Sequence, residues 1–119
     1  MANILLAEDD DSMREFLATA LRRAGHEVRT ASDGMEALSA LTAGPVDLLL
    51  ADVVMPGLDG IELARRAASE RPGIKVMFIT GFAAVALKAR NQTPAGTRVL
   101  SKPFHLKDLV SQVEVILHS

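Results

Sequence analysis

The chain has 119 residues, 49% hydrophobic but only 3% aromatic, with no cysteine and a formal charge of −2. That length suits one domain over residues 1–119 with a sizeable core of Leu, Val, Ile, Ala and Met, and no apolar stretch approaches the ~20 residues of a membrane span. The missing cysteines exclude a disulfide framework and a thiolate metal site and are compatible with the cytoplasm, the charge leaves no basic footprint for direct nucleic-acid binding, and the start Met1-Ala2-Asn3 lacks the basic region of a signal peptide.

Strand-like and helix-like segments then alternate. Residues 3–7 form a short apolar run, and Met13, Phe16, Leu17, Ala20, Leu21 and Ala24 recur at helical spacing from Asp11 to Ala24, with Gly25 as the stop. A weak strand is expected over 27–31 and a helix near 34–43, closed by Gly44-Pro45. Residues 46–51 read as a strong strand that runs into Asp52, and a helix follows from about 59 to 70, broken by Arg71-Pro72-Gly73. The run Ile74–Ile79 is a third strong strand, ending at Thr80-Gly81. Residues 82–90 look weakly helical, 91–97 read as loop, and Arg98–Ser101 is a short strand before Lys102-Pro103. The last helix is strongly periodic, with Leu106, Leu109, Val110, Val113, Ile116 and Leu117 on one face.

Five strands alternating with five helices predict an α/β fold, a doubly wound five-stranded parallel sheet covered on both faces. The order 2-1-3-4-5 places the first and third strands side by side at the switch point, where such folds bind ligands. Their C-terminal ends carry Glu8-Asp9 and Asp52, while the fourth and fifth strands end in Thr80 and Lys102. Singly, each has a plainer reading. Glu8-Asp9-Asp10-Asp11 suits an acidic helix start, Asp52 a loop carboxylate on backbone amides, Thr80 a turn hydroxyl and Lys102 a solvated lysine. Together, at four strand ends of five, they are the groups that one phosphoryl site requires.

The chemistry follows from charge. Carboxylates packed together repel, so a divalent cation or a proton must share their site. Oxygen ligands without Cys or His suit Mg²⁺. A carboxylate beside Mg²⁺ can attack phosphorus and become an aspartyl phosphate, with Lys102 neutralising charge on the transferring group and Thr80 bonding one of its oxygens. No Gly-rich P-loop is present to cradle a nucleotide.

These residues resemble the receiver domain of bacterial two-component response regulators over essentially the whole chain, which implies a flavodoxin-like receiver fold. The resemblance makes Glu8 and Asp9 the acidic pair, with Asp9 a direct Mg²⁺ ligand. Asp52 becomes the phosphoacceptor and the Val54 carbonyl a further metal ligand. Met55-Pro56-Gly57 and Asp59-Gly60 match the following loop, Thr80-Gly81 the switch hydroxyl and its small neighbour, and Lys102-Pro103-Phe104 the lysine with its cis-proline turn. It also implies a phosphohistidine donor on a histidine kinase or histidine phosphotransferase, and no enzymatic turnover beyond the protein's own phosphorylation and dephosphorylation. With the last helix at the end of the chain, no output domain is expected. Residues 4–14, 59–66, 75–87 and 99–106 are similar, more narrowly, to single-domain regulators of alphaproteobacteria. Members of that group act unphosphorylated as adaptors that prime the ClpXP protease, through ClpX, and a kinase–phosphotransferase relay switches them off. A phosphorelay shuttle uses the same site, and a Mg²⁺-dependent phosphatase is the enzymatic alternative. The latter normally has an acid–base carboxylate where Val54 stands, and a cap over its substrate.

Three departures from the common receiver pattern stand out. Val99 occupies a position that is commonly aromatic, so switching would run through Thr80, Gly81 and the segment holding Phe82, Val85 and Leu87. Val54 and Phe82 replace polar groups that help to position a hydrolytic water, which predicts slow autodephosphorylation. The weak 82–97 stretch suggests a short fourth helix, either packed in the ordinary way under a loose loop or forming a partner face with the strand 98–101, Pro103, Phe104 and the last helix, the second testable by charge reversal at Lys88, Arg90 and Lys107. His26, His105 and His118 lack ligand spacing and are taken as surface or capping residues, Arg65-Arg66 as a solvated face, and Met13, Met35, Met55 and Met77 as core or loop filler.

Overall fold

The structure is a computed structural model that describes residues 2–81 and 97–118. Its strands are β1 (Asn3–Ala7), β2 (Glu27–Ala31), β3 (Leu48–Asp52), β4 (Lys75–Thr80) and β5 (Arg98–Ser101). Its helices are α1 (Asp11–Arg23), α2 (Gly34–Thr42), α3 (Gly60–Glu70) and α4 (Leu106–Leu117). All pairings are parallel, in the predicted order β2-β1-β3-β4-β5. Four helices therefore stand among the described residues where five were expected; the fifth, over 82–90, lies outside them.

The apolar runs become central strands because both sheet faces are covered. Along β1, β3 and β4 successive side chains point to opposite faces. Leu5, Ala7, Leu49, Ala51, Val76 and Phe78 pack with α2 and α3, while Ile4, Leu6, Leu48, Leu50, Met77 and Ile79 pack with α1 and α4. A register slip of one residue would exchange the two faces, and the pairing of Ile4 with Leu48 and of Asp52 with Ile79 sets the heights of the strand ends.

Three aspartates start three helices. Asp10, Asp33 and Asp59 have extended backbones, and their side chains accept from the amides of Met13, Glu36 and Glu62, a bond that satisfies one orphan donor at each helix start. Gly60 opens α3 directly behind Asp52: a Cβ there would run into the Asp52 carbonyl. The Asp59-Gly60 pair is thus a cap followed by a close approach.

Two expectations are corrected. Phe16, placed on the apolar face of α1, is 57% exposed, because Leu17, Ala18 and Leu21 take the buried arc. His26, taken as a surface or capping residue, is buried. Its Nε2 lies 2.9 Å from Glu114 Oε1, and the Ala2 amide donates to its Nδ1 at 3.3 Å. His118 also meets Glu114, at 3.4 Å, so two of the three histidines share one carboxylate. His105 holds the N-cap position of α4 without a side-chain cap bond. Arg65 and Arg66 are exposed and pair with Glu62, as a solvated face should. Met55 and Met77 are buried and Met13 packs against the core, but Met35 is exposed. Among the described residues no helix is long and apolar enough to cross a membrane.

Candidate functional site

Parallel pairing brings every strand's C-terminal end to one edge, and the predicted residues meet there. Asp52 is the last residue of β3 and is buried; the expected strand stopped one residue earlier. Glu8 follows β1 and is 2% exposed, while Asp9 beside it is exposed. Glu8, Asp9 and Asp52 each offer a carboxylate oxygen, all within 4.8 Å of one another. Lys102, just past β5, reaches between them, with Nζ 3.1 Å from Asp52 Oδ2 and 3.4 Å from Glu8 Oε1. The second Asp52 oxygen, Oδ1, accepts from the Val54 amide at 3.1 Å.

Thr80 ends β4, buried, and its carbonyl accepts the Lys102 amide at 2.8 Å, so hydroxyl and lysine are held at one height. Gly81 sits beside them, where an added Cβ would meet the Lys102 Cβ at 3.9 Å. The Lys102–Pro103 bond is cis. The Val54 side chain is half exposed on the loop after β3. Val99 is half-buried against the α2–α3 side of the core, Phe104 against the α1–α4 side, and Pro103 and Lys107 are exposed. Phe82, Val85, Leu87, Lys88 and Arg90 lie outside the described residues.

The acidic run divides by role. Asp10 caps α1 and Asp11 pairs with Arg14 at 2.5 Å, so the plainer helix-start reading holds for these two, while Glu8 and Asp9 face the site. Glu8 and Asp52 share one ammonium, with the Asp9 carboxylate close beside them. Burial first, then the charge of Asp52, pushes the Glu8 carboxyl up to about 7. Burial works to lower the Lys102 ammonium, but the hydrogen bond and charge of Asp52, with those of Glu8, outweigh it and hold it above its ordinary value. A cluster with excess negative charge and only oxygen donors can hold a hard divalent cation.

Sequence reasoning passed over Arg14, whose Nη1 donates to the Glu8 carbonyl at 2.8 Å. Its i, i+3 spacing from Asp11 was a signal for the ion pair, though not for the reach back to Glu8. It also passed over Arg71, whose guanidinium bonds the carbonyls of Leu41 and Gly44, and Arg29, which bonds those of Ala40 and Pro45. These two arginines satisfy the C-terminal end of α2, a helix with no basic residue in its own last turn.

Comparison with known proteins agrees with this geometry. The response regulator receiver domain family matches residues 4–114. The response regulator receiver protein CpdR of Brucella abortus (strain 2308) is 55% identical over 98% of this chain and 98% of its own length. The crystal structure of the receiver domain from the hybrid histidine kinase CckA superposes with a TM-score of 0.83 at 38% identity, covering 97% of this chain and 98% of that one. The response regulator TrrA from Thermotoga maritima, crystallised in complex with Mg(2+)-BeF, gives a TM-score of 0.87 at 27% identity over 98% of this chain and 99% of its own. A family match over nearly the whole chain, and a relative so similar from end to end, make this protein a member of the response regulator receiver domain family of two-component systems.

Proposed function

We propose that the protein accepts a phosphoryl group on Asp52 from a phosphohistidine donor and works as a phosphorylation-controlled adaptor for the ClpXP protease. The observation that carries the chemistry is the meeting of Glu8, Asp9 and Asp52 within 4.8 Å, with the Lys102 ammonium 3.1 Å from Asp52. The donor set fits Mg²⁺. The carboxylates of Glu8, Asp9 and Asp52 and the Val54 carbonyl would hold it, and when bound it neutralises charge on the transferring group. An Asp52 carboxylate oxygen attacks phosphorus, an O–P bond forms and the P–N bond to the donor imidazole breaks. The electron pair stays on the imidazole nitrogen. Lys102 turns from the Asp52 carboxylate to a phosphoryl oxygen, and the Thr80 hydroxyl donates to another. The protein catalyses only its own phosphorylation and the later hydrolysis. The apolar Val54 favours a slow return.

The adaptor role rests on the similarity to single-domain regulators of the CpdR group. In this reading the unphosphorylated form binds ClpX in the cytoplasm, a histidine kinase or histidine phosphotransferase silences it, and the face around β5, Pro103 and Phe104 carries the output. The likeness to the receiver of a hybrid histidine kinase favours a second reading, a phosphorelay shuttle that hands its phosphoryl group to a histidine phosphotransferase.

A small phosphodonor such as acetyl phosphate should label the protein stoichiometrically, only with Mg²⁺, and Asp52→Asn should abolish the label. Sustained turnover would favour a phosphatase instead. Pull-down with wild type and Asp52→Ala separates the two readings: capture of ClpX by both supports the adaptor, and capture of the phosphotransferase alone supports the shuttle.

A further inference from the structure

Arg14 touches none of the three carboxylates that converge, yet it grips the loop that carries two of them. Its Nη1 donates to the Glu8 carbonyl at 2.8 Å and its Nη2 to Asp11 Oδ1 at 2.5 Å. The Arg14 side chain is 18% exposed, whereas that of Asp11 is 87% exposed, so a solvated carboxylate anchors a largely buried guanidinium. The rest of the loop is pinned as well. The Glu8 amide donates to the Ala31 carbonyl at 3.1 Å, the Asp10 amide to Glu8 Oε2 at 3.3 Å, and the Arg14 amide to the Asp10 carbonyl at 2.9 Å. Of the contacts that fix the Glu8–Asp9 peptide, the one to the Glu8 carbonyl comes from a side chain six residues along. That carbonyl belongs to the same peptide unit as the Asp9 amide, so its direction sets where the Asp9 carboxylate starts.

We propose that Arg14 is a positioning residue for the cation site: by holding the Glu8 carbonyl it aims the acidic pair at the place where Asp52 converges. The inference rests on the reading that Glu8, Asp9 and Asp52 hold Mg²⁺. It makes a prediction whose sign separates it from plain electrostatics. Removing a cation close to three carboxylates deepens the local negative potential and by charge alone tightens divalent-cation binding. Removing a positioning group scatters the ligands and weakens it.

The test is Mg²⁺ affinity, measured by competition against Mn²⁺ followed by electron paramagnetic resonance, in wild type, Arg14→Ala and Arg14→Lys. Phosphorylation by acetyl phosphate is followed in parallel at rising Mg²⁺. Arg14→Ala should raise the half-saturating Mg²⁺ concentration roughly tenfold, the scale on which partners that orient metal ligands act. Arg14→Lys keeps the charge but cannot span both Glu8 and Asp11, and should show a smaller loss in the same direction. At saturating Mg²⁺ both variants should phosphorylate at the wild-type rate, since Arg14 touches no reacting atom. Circular dichroism without metal checks folding, and if Arg14→Ala does not fold, Arg14→Lys alone decides the sign. Unchanged or tighter Mg²⁺ binding in the folded variants overturns the positioning role. Failure of the wild type to bind Mn²⁺ or Mg²⁺ overturns instead the metal reading beneath it.

Discussion

Glu8 and Glu114 stand at opposite edges of the same sheet, and their carboxyls are displaced in opposite directions. Glu8, at the C-terminal edge, is pushed up to about 7 by burial and then by Asp52. Glu114 faces the N-terminal edge and is held below its ordinary value, first by its hydrogen bond with His26. The difference is one of partners. At the N-terminal edge Asp47, Arg71 and Glu114 each meet complementary groups: Asp47 Oδ2 takes the Asn3 amide at 2.7 Å, Arg71 takes two carbonyls, and Glu114 takes two histidines. At the C-terminal edge three carboxylates crowd together, and the Lys102 ammonium pairs with two of them, Glu8 and Asp52. One edge serves the fold, while the other holds like charges together, and a site for a cation and a phosphoryl group requires that arrangement.

The largest expected effect comes from removing the centre of the crowded edge. Asp52→Asn should abolish phosphate incorporation entirely while leaving a folded protein. It should also lower the Glu8 titration midpoint, because the Asp52 charge is the second cause of its elevation after burial. Side-chain carboxyl NMR against pH reads this directly, and an unmoved midpoint would mean that burial alone governs Glu8.

The next prediction concerns pH. A carboxyl raised from 4.5 to about 7 binds a proton in the folded state that the unfolded chain has released, so stability falls as pH rises through that window. Metal-free protein in a chelator should therefore unfold more easily in urea at pH 8 than at pH 5.5. Saturating Mg²⁺ should reduce the gap by favouring the ionised carboxylates. A metal-free protein equally stable at both pH values would remove the strain assigned to this edge.

The crowded edge was legible in the sequence and the satisfied edge was not, for a physical reason. Apolar runs ending in Glu8, Asp52 and Thr80 locate strand ends, and parallel pairing carries every such end to one edge whatever the loops do. The strand order follows from alternation and crossover rules, so the convergence needs no knowledge of side-chain packing. The opposite edge depends on particular long reaches. Arg71 meets Leu41 across 30 positions and His26 meets Glu114 across 88, and no local window of sequence encodes either. Phe16 failed differently: helical periodicity marks a broad arc, and only packing decides that Leu17 and Ala18 occupy its middle. The division of Asp10 as the cap of α1 and Asp11 as the partner of Arg14 likewise came only with the side-chain geometry.

Arg71→Ala probes the satisfied edge. It strips the side-chain partner from the carbonyls of Leu41 and Gly44, and should lower stability by about 2 kcal/mol, the scale for leaving charge-assisted acceptors unpaired. Phosphorylation by acetyl phosphate should be untouched, since the change lies at the far end of β3 and β4. A variant equally stable, or one with impaired phosphorylation, would break the division between the two edges.

The smallest effect belongs to Glu114→Gln, and its value lies in its pH dependence. The ion pair is half exposed, and the amide can still accept from His26 Nε2, so the melting temperature should drop less than in Arg71→Ala. Because the Glu114 carboxyl is held below its ordinary value, its contribution is present above the unfolded value of 4.5 and fades as pH falls through the lower folded value. The gap between wild type and Glu114→Gln should therefore close in acid, where Glu8 is protonated and its edge is at its most stable. Two glutamates at opposite edges of one small sheet would then respond to acid in opposite senses, the pairing at one edge weakening as the repulsion at the other is relieved. A gap that widened in acid would show that Glu114 is not the ionised partner of His26, and would leave the contrast between the edges resting on Arg71 alone.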